Sequence, residues 1–157
     1  MGDRSRIRIM LLQIERDLGG LGLMPPCSTY HRFAVGMTGD KMSSSKPEST
    51  IFMDDEIESM ERKVKRAISG GQPTVEEHRR LGGDVSKDVA FQYLQFFFEN
   101  DDTALAEVKS EYESGRMLAG EVKQICIDRA TDWLIDLKQR RDQMEDSVAD
   151  FLAPDAI

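Results

Sequence analysis

Apolar residues recur at helical spacing along most of the chain, and glycine pairs separate several of the segments. A spacing of three or four residues places apolar side chains on one face of a helix, which predicts amphipathic helices that pack on a common core. The predicted helices carry these apolar stripes: Ile7, Met10, Leu11 and Ile14 within residues 5–18; Ile57, Met60, Val64 and Ile68; Val89, Tyr93 and Phe97; Leu105, Val108 and Tyr112; Leu118, Val122, Ile125, Trp133 and Leu137.

Capping signals mark where two helices begin and end. A D-x-x-E pattern starts at Asp55, and a T-x-x-E pattern starts at Thr74 within PTVEEHRRLGG. In such patterns the first side chain accepts a hydrogen bond from a free N–H group of the first helical turn. Glycine pairs just past a helix are typical stop signals, so we expect the two helices to end at residues 70–71 and 82–83.

One segment has a pattern that differs from the helices. Residues 28–36, STYHRFAVG, are rich in β-branched and aromatic side chains and end in glycine, which predicts a strand. The polar stretch GMTGDKMSSSKPEST, residues 36–50, follows it and is called the 36–50 loop below. The predicted architecture is mostly α: a small α/β part over residues 1–53 and an all-helical domain over residues 54–157.

Composition and charge narrow the class of protein. The chain has 157 residues, of which 39% are hydrophobic, so it is long enough to bury a core. No segment approaches the roughly 18 apolar residues of a membrane helix, and the charged N-terminus does not resemble a secretory signal, so we expect a cytoplasmic protein without a membrane partner. Cys27 and Cys126 lie far apart without a CxxC pattern, which predicts reduced thiols and no metal site.

Charge also limits the kind of nucleic-acid binding to expect. The formal net charge of −8 argues against a protein that coats nucleic acids generally, although the first fifty residues carry more basic than acidic groups. Six basic residues further along could face RNA phosphates or could form a solvated helix face, and the sequence leaves both readings open. These residues are Arg62, Lys63, Lys65, Arg66, Arg79 and Arg80.

The composition of the 36–50 loop suits phosphate binding. It is not a P-loop, because Asp40 precedes Lys41 and Met42 follows it, where that motif requires glycine and a hydroxyl residue. What remains is a lysine among small residues, with three serines, Ser43 to Ser45, close behind. A lysine offers a point charge to one phosphate oxygen, and hydroxyls and backbone amides bind the others. The alternative is a solvated serine-rich connector.

Several segments resemble one family of enzymes. TGDKMSSSK resembles the KMSKS signature of class I aminoacyl-tRNA synthetases, with Ser44 in place of the second lysine. SGGQPTVEEHRRLGGD, FQYLQFFFENDD, SGRMLAGEVK and KQRRDQ are similar, in the same order, to segments of archaeal and eukaryotic tryptophanyl-tRNA synthetases. The likeness covers nearly the whole chain from about residue 25.

This resemblance implies a fold, a reaction and a site. The fold is the end of a Rossmann-type catalytic domain followed by a helical domain that recognises the anticodon of tRNA(Trp). The reaction is ATP-dependent activation of tryptophan and transfer to tRNA. The implied ATP-binding residues are Lys41, Met42, Ser43, Ser44 and Ser45, with Lys41 as the catalytic cation. Magnesium would accompany ATP, with no protein ligand identified.

The family's His-x-Gly-His motif has no counterpart here, since the chain's two histidines, His31 and His78, do not form it. The resemblance therefore implies the C-terminal portion of a synthetase, which we expect to be inactive alone. Its implied partners include the missing N-terminal half or a second copy in a homodimer. The alternative function is a non-catalytic RNA-binding or protein-docking helical module derived from a synthetase.

Three other side chains carry structural predictions. His78 is expected at the surface or in a capping role on a short helix. Phe97, together with Tyr93, and Trp133 are expected in the hydrophobic core rather than in contact with nucleic-acid bases.

Overall fold

The computed structural model describes residues 10, 13–14, 16–19 and 33–144. The chain forms two compact units, residues 1–33 and 34–157. In the first unit the described residues from 10 to 18 are helical, as the sequence predicts, and the beginning of that predicted helix lies outside the described residues. The predicted domain boundary after residue 53 stays a prediction.

The second unit is helical, which confirms the predominantly α class. The longest helix is α5, and its buried residues recur at intervals of four, as in Val122, Cys126, Ala130 and Leu134. It packs against α1, α3, the π-helix and α4, so it forms the centre of the core. In chain order the elements are a 3₁₀ turn (Pro47–Ser49), α1 (Ile57–Arg66), α2 (Val75–Leu81), α3 (Val89–Tyr93), a π-helix (Leu94–Phe98), α4 (Asp102–Glu113) and α5 (Ala119–Met144).

None of the helices in the described part of the chain combines the length and the apolar character that a membrane span needs.

Burial raises the pKa of the Cys126 thiol to about 12, with a contribution from the nearby charge of Asp88. The thiol is free and buried. Cys126 is therefore a reduced apolar core residue, as predicted, and Cys27 lies outside the described residues.

The start of α1 differs from the predicted one. The helix begins at Ile57, and Asp55 is not its capping residue. The Asp55 carboxylate instead accepts a hydrogen bond from the backbone N–H of Phe52 at 2.9 Å and pairs with the Lys63 ammonium at 2.6 Å. Asp55 therefore fixes the approach to the helix rather than capping it.

The end of α1 also comes earlier than the glycine pair predicts. The helix stops at Arg66, and Ile68, which the periodic pattern places in its apolar stripe, lies beyond the helix and is 47% exposed. The reason is a tertiary cap: Lys123 of α5 donates to the carbonyls of Lys65 at 2.9 Å and Ala67 at 2.7 Å. A cation at this end satisfies carbonyls that have no partner within the helix and interacts favourably with the helix dipole.

The predicted capping of α2 is confirmed. Thr74 accepts a hydrogen bond from the N–H of Glu77 at 3.1 Å, and the helix ends at Gly82. Gly82 has a φ of +72°, and a Cβ atom there would lie 1.8 Å from the carbonyl oxygen of Glu113. A glycine is therefore required by both backbone conformation and close packing on α4.

His78 is buried, so its predicted surface or capping role is wrong. Its side chain is 2% exposed, and its Nε2 lies 2.9 Å from the carbonyl oxygen of Met117. The N–H of Gln72 donates to Nδ1 at 3.4 Å, which leaves Nε2 as the protonated nitrogen that donates to Met117. His78 thus joins α2 to the segment that precedes α5.

A buried carboxylate joins three segments at the start of α3. Asp88 is fully buried, and its Oδ1 accepts from the N–H of Phe91 at 2.9 Å, which caps the helix. Its Oδ2 accepts from the N–H of Gly70 at 3.1 Å and from the hydroxyl of Tyr112 at 2.9 Å. Asp88 therefore holds α3, the segment after α1, and α4 together.

The aromatic stripe that begins at Tyr93 continues into the π-helix and reaches solvent there. Tyr93 is buried as predicted, but Phe97 is 48% exposed, so its predicted core position is wrong. The Tyr93 and Phe97 rings still meet edge to face, with centroids 5.3 Å apart, so Phe97 lies on the solvent side of Tyr93 rather than in the core. Phe98 instead contacts the ring of Trp133 with centroids 5.9 Å apart, and both pack against the core.

The Asp88 contacts predict a large and specific stability loss. Asp88→Asn replaces one accepting oxygen with an NH₂ group that faces donors, so we expect the free energy of unfolding to fall by about 2–3 kcal/mol. Asp132→Asn, on the exposed side of α5, is the matched control and should change stability far less. Urea unfolding measures both variants, and equal losses would contradict the role given to Asp88.

Candidate phosphate-binding loop

The base of the 36–50 loop is closed by Ser49. Its side chain is 1% exposed, accepts from the N–H of Ser43 at 3.0 Å and donates to the carbonyl of Lys46 at 2.7 Å. The carbonyl of Ser49 accepts from the N–H of Met37 at 2.9 Å. A Cβ atom at Gly36 would lie 2.4 Å from that same carbonyl oxygen, so glycine permits the close approach of the two ends.

The predicted strand before the loop is wrong in the part that the structure describes. Residues 33–36 have no strand structure, and residues 28–32 lie outside the described residues. The N–H of Gly36, which a strand would pair with a neighbouring strand, instead donates to the main-chain carbonyl of Asp40 within the loop at 2.6 Å. The described chain therefore enters the loop through a turn.

Lys41 and two serines offer donors at the surface of the loop. Lys41 is exposed, and its ammonium has no hydrogen-bond or ion-pair partner among the described residues. The hydroxyls of Ser43 and Ser45 lie 2.9 Å apart, so one donates to the other and the second keeps its own hydrogen for a ligand. Ser44, between them, is exposed. A cation and hydroxyls presented by the same short loop suit an anionic oxygen ligand.

Met42 connects the loop to the helical core. The buried Tyr93 donates its hydroxyl to the Met42 sulfur at 3.3 Å, across 51 positions of sequence. Desolvation raises the pKa of Tyr93 to about 12, with a contribution from Cys126, so the hydroxyl remains a donor at neutral pH. Sequence reasoning missed this contact, since nothing local marks Tyr93 as a partner of Met42.

Two of the six basic candidates are engaged within the fold. The Lys63 side chain is 3% exposed, with its ammonium on Asp55 and 4.8 Å from the centroid of the Phe52 ring. The Arg79 guanidinium donates to the carbonyl of Gly115 at 3.0 Å and also to the carbonyl of Arg116. These contacts hold the chain ahead of α1 and the segment that follows α4.

The other four basic candidates are exposed. Arg62, Lys65 and Arg66 lie on the solvent side of α1, opposite the buried Met60 and Val64. Within α1, Lys65 pairs with Glu61 at 2.8 Å and Arg62 donates to Ser59 at 3.3 Å. Arg80 of α2 is exposed as well.

A small cleft separates the loop base from α1. It has a volume of about 160 Å³ and is lined by Met37, Thr38, Glu48, Lys63 and Arg66. Ligand pockets usually have volumes of roughly 300–1,000 Å³, so this cleft is too small to enclose a nucleotide. In the part of the chain that the structure describes, no group of His, Cys, Asp and Glu side chains could hold a metal ion.

Comparison with known proteins identifies the family. The model of class I tRNA synthetases, W and Y types, matches residues 3–134. The chain belongs to this family. It is 43% identical over 143 residues to the tryptophan–tRNA ligase of Saccharolobus solfataricus, an alignment that covers 88% of this chain and 38% of that protein. The ligase of Archaeoglobus fulgidus is 40% identical over 92% of this chain and 34% of its own length.

A solved structure supports the same assignment for the fold. The tryptophanyl-tRNA synthetase of Aeropyrum pernix superposes with a TM-score of 0.90 at 30% identity, covering 99% of this chain and 43% of that one. The chain matches the C-terminal helical part of a tryptophanyl-tRNA synthetase. The resemblance seen in the sequence is therefore confirmed, and the chain spans less than half the length of these relatives.

The loop base of this synthetase-family chain yields a local prediction. Ser49→Ala leaves the N–H of Ser43 and the carbonyl of Lys46 without their side-chain partner, so hydrogen exchange at the Ser43 amide should accelerate roughly tenfold. Ser44→Ala, at an exposed serine, is the control and should leave that rate unchanged. Exchange followed by NMR decides, and an unaltered Ser43 rate in Ser49→Ala would show that Ser49 does not close the loop.

Proposed function

We propose that this chain supplies two parts of a tryptophan–tRNA ligase: the loop that binds the phosphates of ATP, and a helical unit, α1 to α5, that binds tRNA. The observation that carries the proposal is what the 36–50 loop presents: the exposed ammonium of Lys41, which has no partner among the described residues, and, two and four positions later, the hydrogen-bonded hydroxyls of Ser43 and Ser45. The family assignment supports it, because the curated relatives named above are tryptophan–tRNA ligases.

Lys41 would stabilise the charge that develops when tryptophan is joined to the α-phosphate of ATP and pyrophosphate departs. Its ammonium would bind the β- and γ-phosphate oxygens, while the hydroxyl hydrogen left free in the Ser43–Ser45 pair would donate to the same groups. Ser44, which is exposed between them, would also donate to the phosphates. Met42 would anchor the loop to the helical core through its contact with Tyr93. Magnesium would enter with ATP and neutralise part of the phosphate charge.

The helical unit would contact tRNA through α1. Arg62, Lys65 and Arg66 are exposed on one side of this helix, and their combined charge would attract phosphates. Arg80 would add to that attraction from α2. Lys63 and Arg79 are assigned to holding the fold instead, because their cationic groups already bind Asp55 and main-chain carbonyls.

Lys41→Ala should lower the rate of adenylate formation by roughly 10²- to 10³-fold, because its charge acts most strongly on departing pyrophosphate. The measurement uses a chimera in which this chain replaces the matching part of the Saccharolobus solfataricus ligase. Rapid-quench kinetics at saturating tryptophan follow adenylate formation. The Michaelis constant for tryptophan should change much less than the rate.

Lys46→Ala is the matched control, since Lys46 is an exposed lysine of the same loop. We expect a smaller effect from this variant and almost no change in melting temperature from either. If Lys41→Ala stays within about twofold of the parent chimera, the loop is a connector. A chimera that binds tRNA but forms no adenylate would favour a non-catalytic RNA-binding module.

Binding of tRNA(Trp) by the chain should weaken steeply with salt, since each neutralised phosphate contributes a log–log slope of roughly −0.7 to −0.9. The double variant with Arg62→Glu and Arg66→Glu should neutralise one to two fewer phosphates, so its slope should be shallower by one to two of these contributions. Lys109→Glu, an exposed charge reversal on α4, is the control. Filter binding at several salt concentrations measures the slopes, and an equal slope for all three proteins would mean that α1 is a solvated face.

A further inference from the structure

The hydroxyl of Tyr93 has its acceptor on the 36–50 loop. Tyr93 is 3% exposed, and in the described part of the chain its hydroxyl donates to the sulfur of Met42 at 3.3 Å. A buried hydroxyl that lacks any hydrogen-bond acceptor is unfavourable. The thioether sulfur of Met42 is a weak acceptor, but it satisfies this hydroxyl. If the loop moves away, the Tyr93 hydroxyl therefore loses its partner, and this loss opposes the movement.

Helix α3, which ends at Tyr93, also holds the base of the loop. The N–H of Ile68 donates to the carbonyl of Met37 at 3.2 Å, and the N–H of Val89 donates to the carbonyl of Ile68 at 3.0 Å. Val89 is the first residue of α3 and Tyr93 is the last. The five-residue helix α3 therefore reaches the loop at two points: through the peptide of Ile68 at the base and through Met42 directly after Lys41.

The position of α3 is set by the rest of the helical unit. Asp88 caps it and binds Tyr112 of α4, and four of its five residues are buried, with α5 packed against it. We propose that Tyr93 is a positioning residue that holds Lys41 and the loop in register with the helical unit through its hydrogen bond to Met42. What the loop binds rests on the proposed function, whereas the coupling itself does not.

Trypsin cleavage of the purified chain tests the coupling. Lys46–Pro47 resists trypsin because proline follows the lysine, so Lys41–Met42 reports opening of the loop, and Arg66–Ala67 at the end of α1 reports wider unfolding. Tyr93→Phe removes one hydroxyl and should accelerate cleavage at Lys41–Met42 about 2- to 10-fold. Cleavage at Arg66–Ala67 should change much less.

Two further variants separate coupling from general loosening. Met42→Leu removes the acceptor and should reproduce the Tyr93→Phe result, and the double variant should be no faster than the faster single variant. Tyr112→Phe removes another buried hydroxyl and should affect both cleavage sites by a similar factor. Additive effects of Tyr93→Phe and Met42→Leu, or a loop-selective effect of Tyr112→Phe, would overturn the proposal.

Adding inorganic pyrophosphate distinguishes the two proposals. If the loop binds phosphates, pyrophosphate should slow cleavage at Lys41–Met42 in the parent chain, and chloride at matched ionic strength should not. An absence of protection together with the expected Tyr93→Phe and Met42→Leu results would sink the phosphate role while leaving the coupling intact. Protection by pyrophosphate together with additive effects of Tyr93→Phe and Met42→Leu would support the phosphate role and overturn the coupling.

Discussion

Asp88 places a carboxylate in the core of the helical unit, where it has to be fully hydrogen bonded. Removing such a group from water costs several kcal/mol unless donors replace the lost solvent. Here the donors come from Gly70, Phe91 and Tyr112, which belong to three separate segments. An arrangement that moves one of these segments leaves a buried charge undersatisfied, so the carboxylate restricts the unit to one packing.

The loop inherits its position from this packing. The carboxylate fixes α3, and α3 carries the Tyr93 hydroxyl that binds Met42. A second constraint comes from Lys123, a half-buried side chain whose ammonium donates to two carbonyls at the end of α1. Desolvation lowers the pKa of this ammonium, while the charge of Asp88 opposes the shift. The exposed cations of α1 and the exposed Lys41 are therefore presented by one connected core.

The features that sequence could predict are local ones. The capping pair at Thr74 and the existence of a long helix α5 depend on neighbours within a few positions, and both are present in the structure. The predicted stripe of α5 is only partly right, because Val122 is fully buried whereas Ile125, Trp133 and Leu137 are half-buried and the buried line continues through Cys126, Ala130 and Leu134. The four-residue spacing does bring Phe97 against Tyr93, but the burial of a residue on that face depends on what packs over it, and Phe97 is 48% exposed. The buried state of Lys63 depends on Asp55, and the anchoring of Met42 depends on a tyrosine 51 positions away, so no short pattern reveals either. The phosphate-binding role of the 36–50 loop comes from its motif rather than from its geometry, and it stays a prediction.

The segment that presents Lys41 is packed on helices α1 to α5 through Met42 rather than free in solvent. Methyl NMR of the chain with ¹³C-labelled methionine tests this claim most directly, because the Met42 methyl group lies next to the sulfur that Tyr93 contacts. We expect a Met42 resonance shifted from that of an unstructured methionine and nuclear Overhauser contacts to the Tyr93 ring. A Met42 resonance with unstructured shifts and no contact to that ring would contradict it.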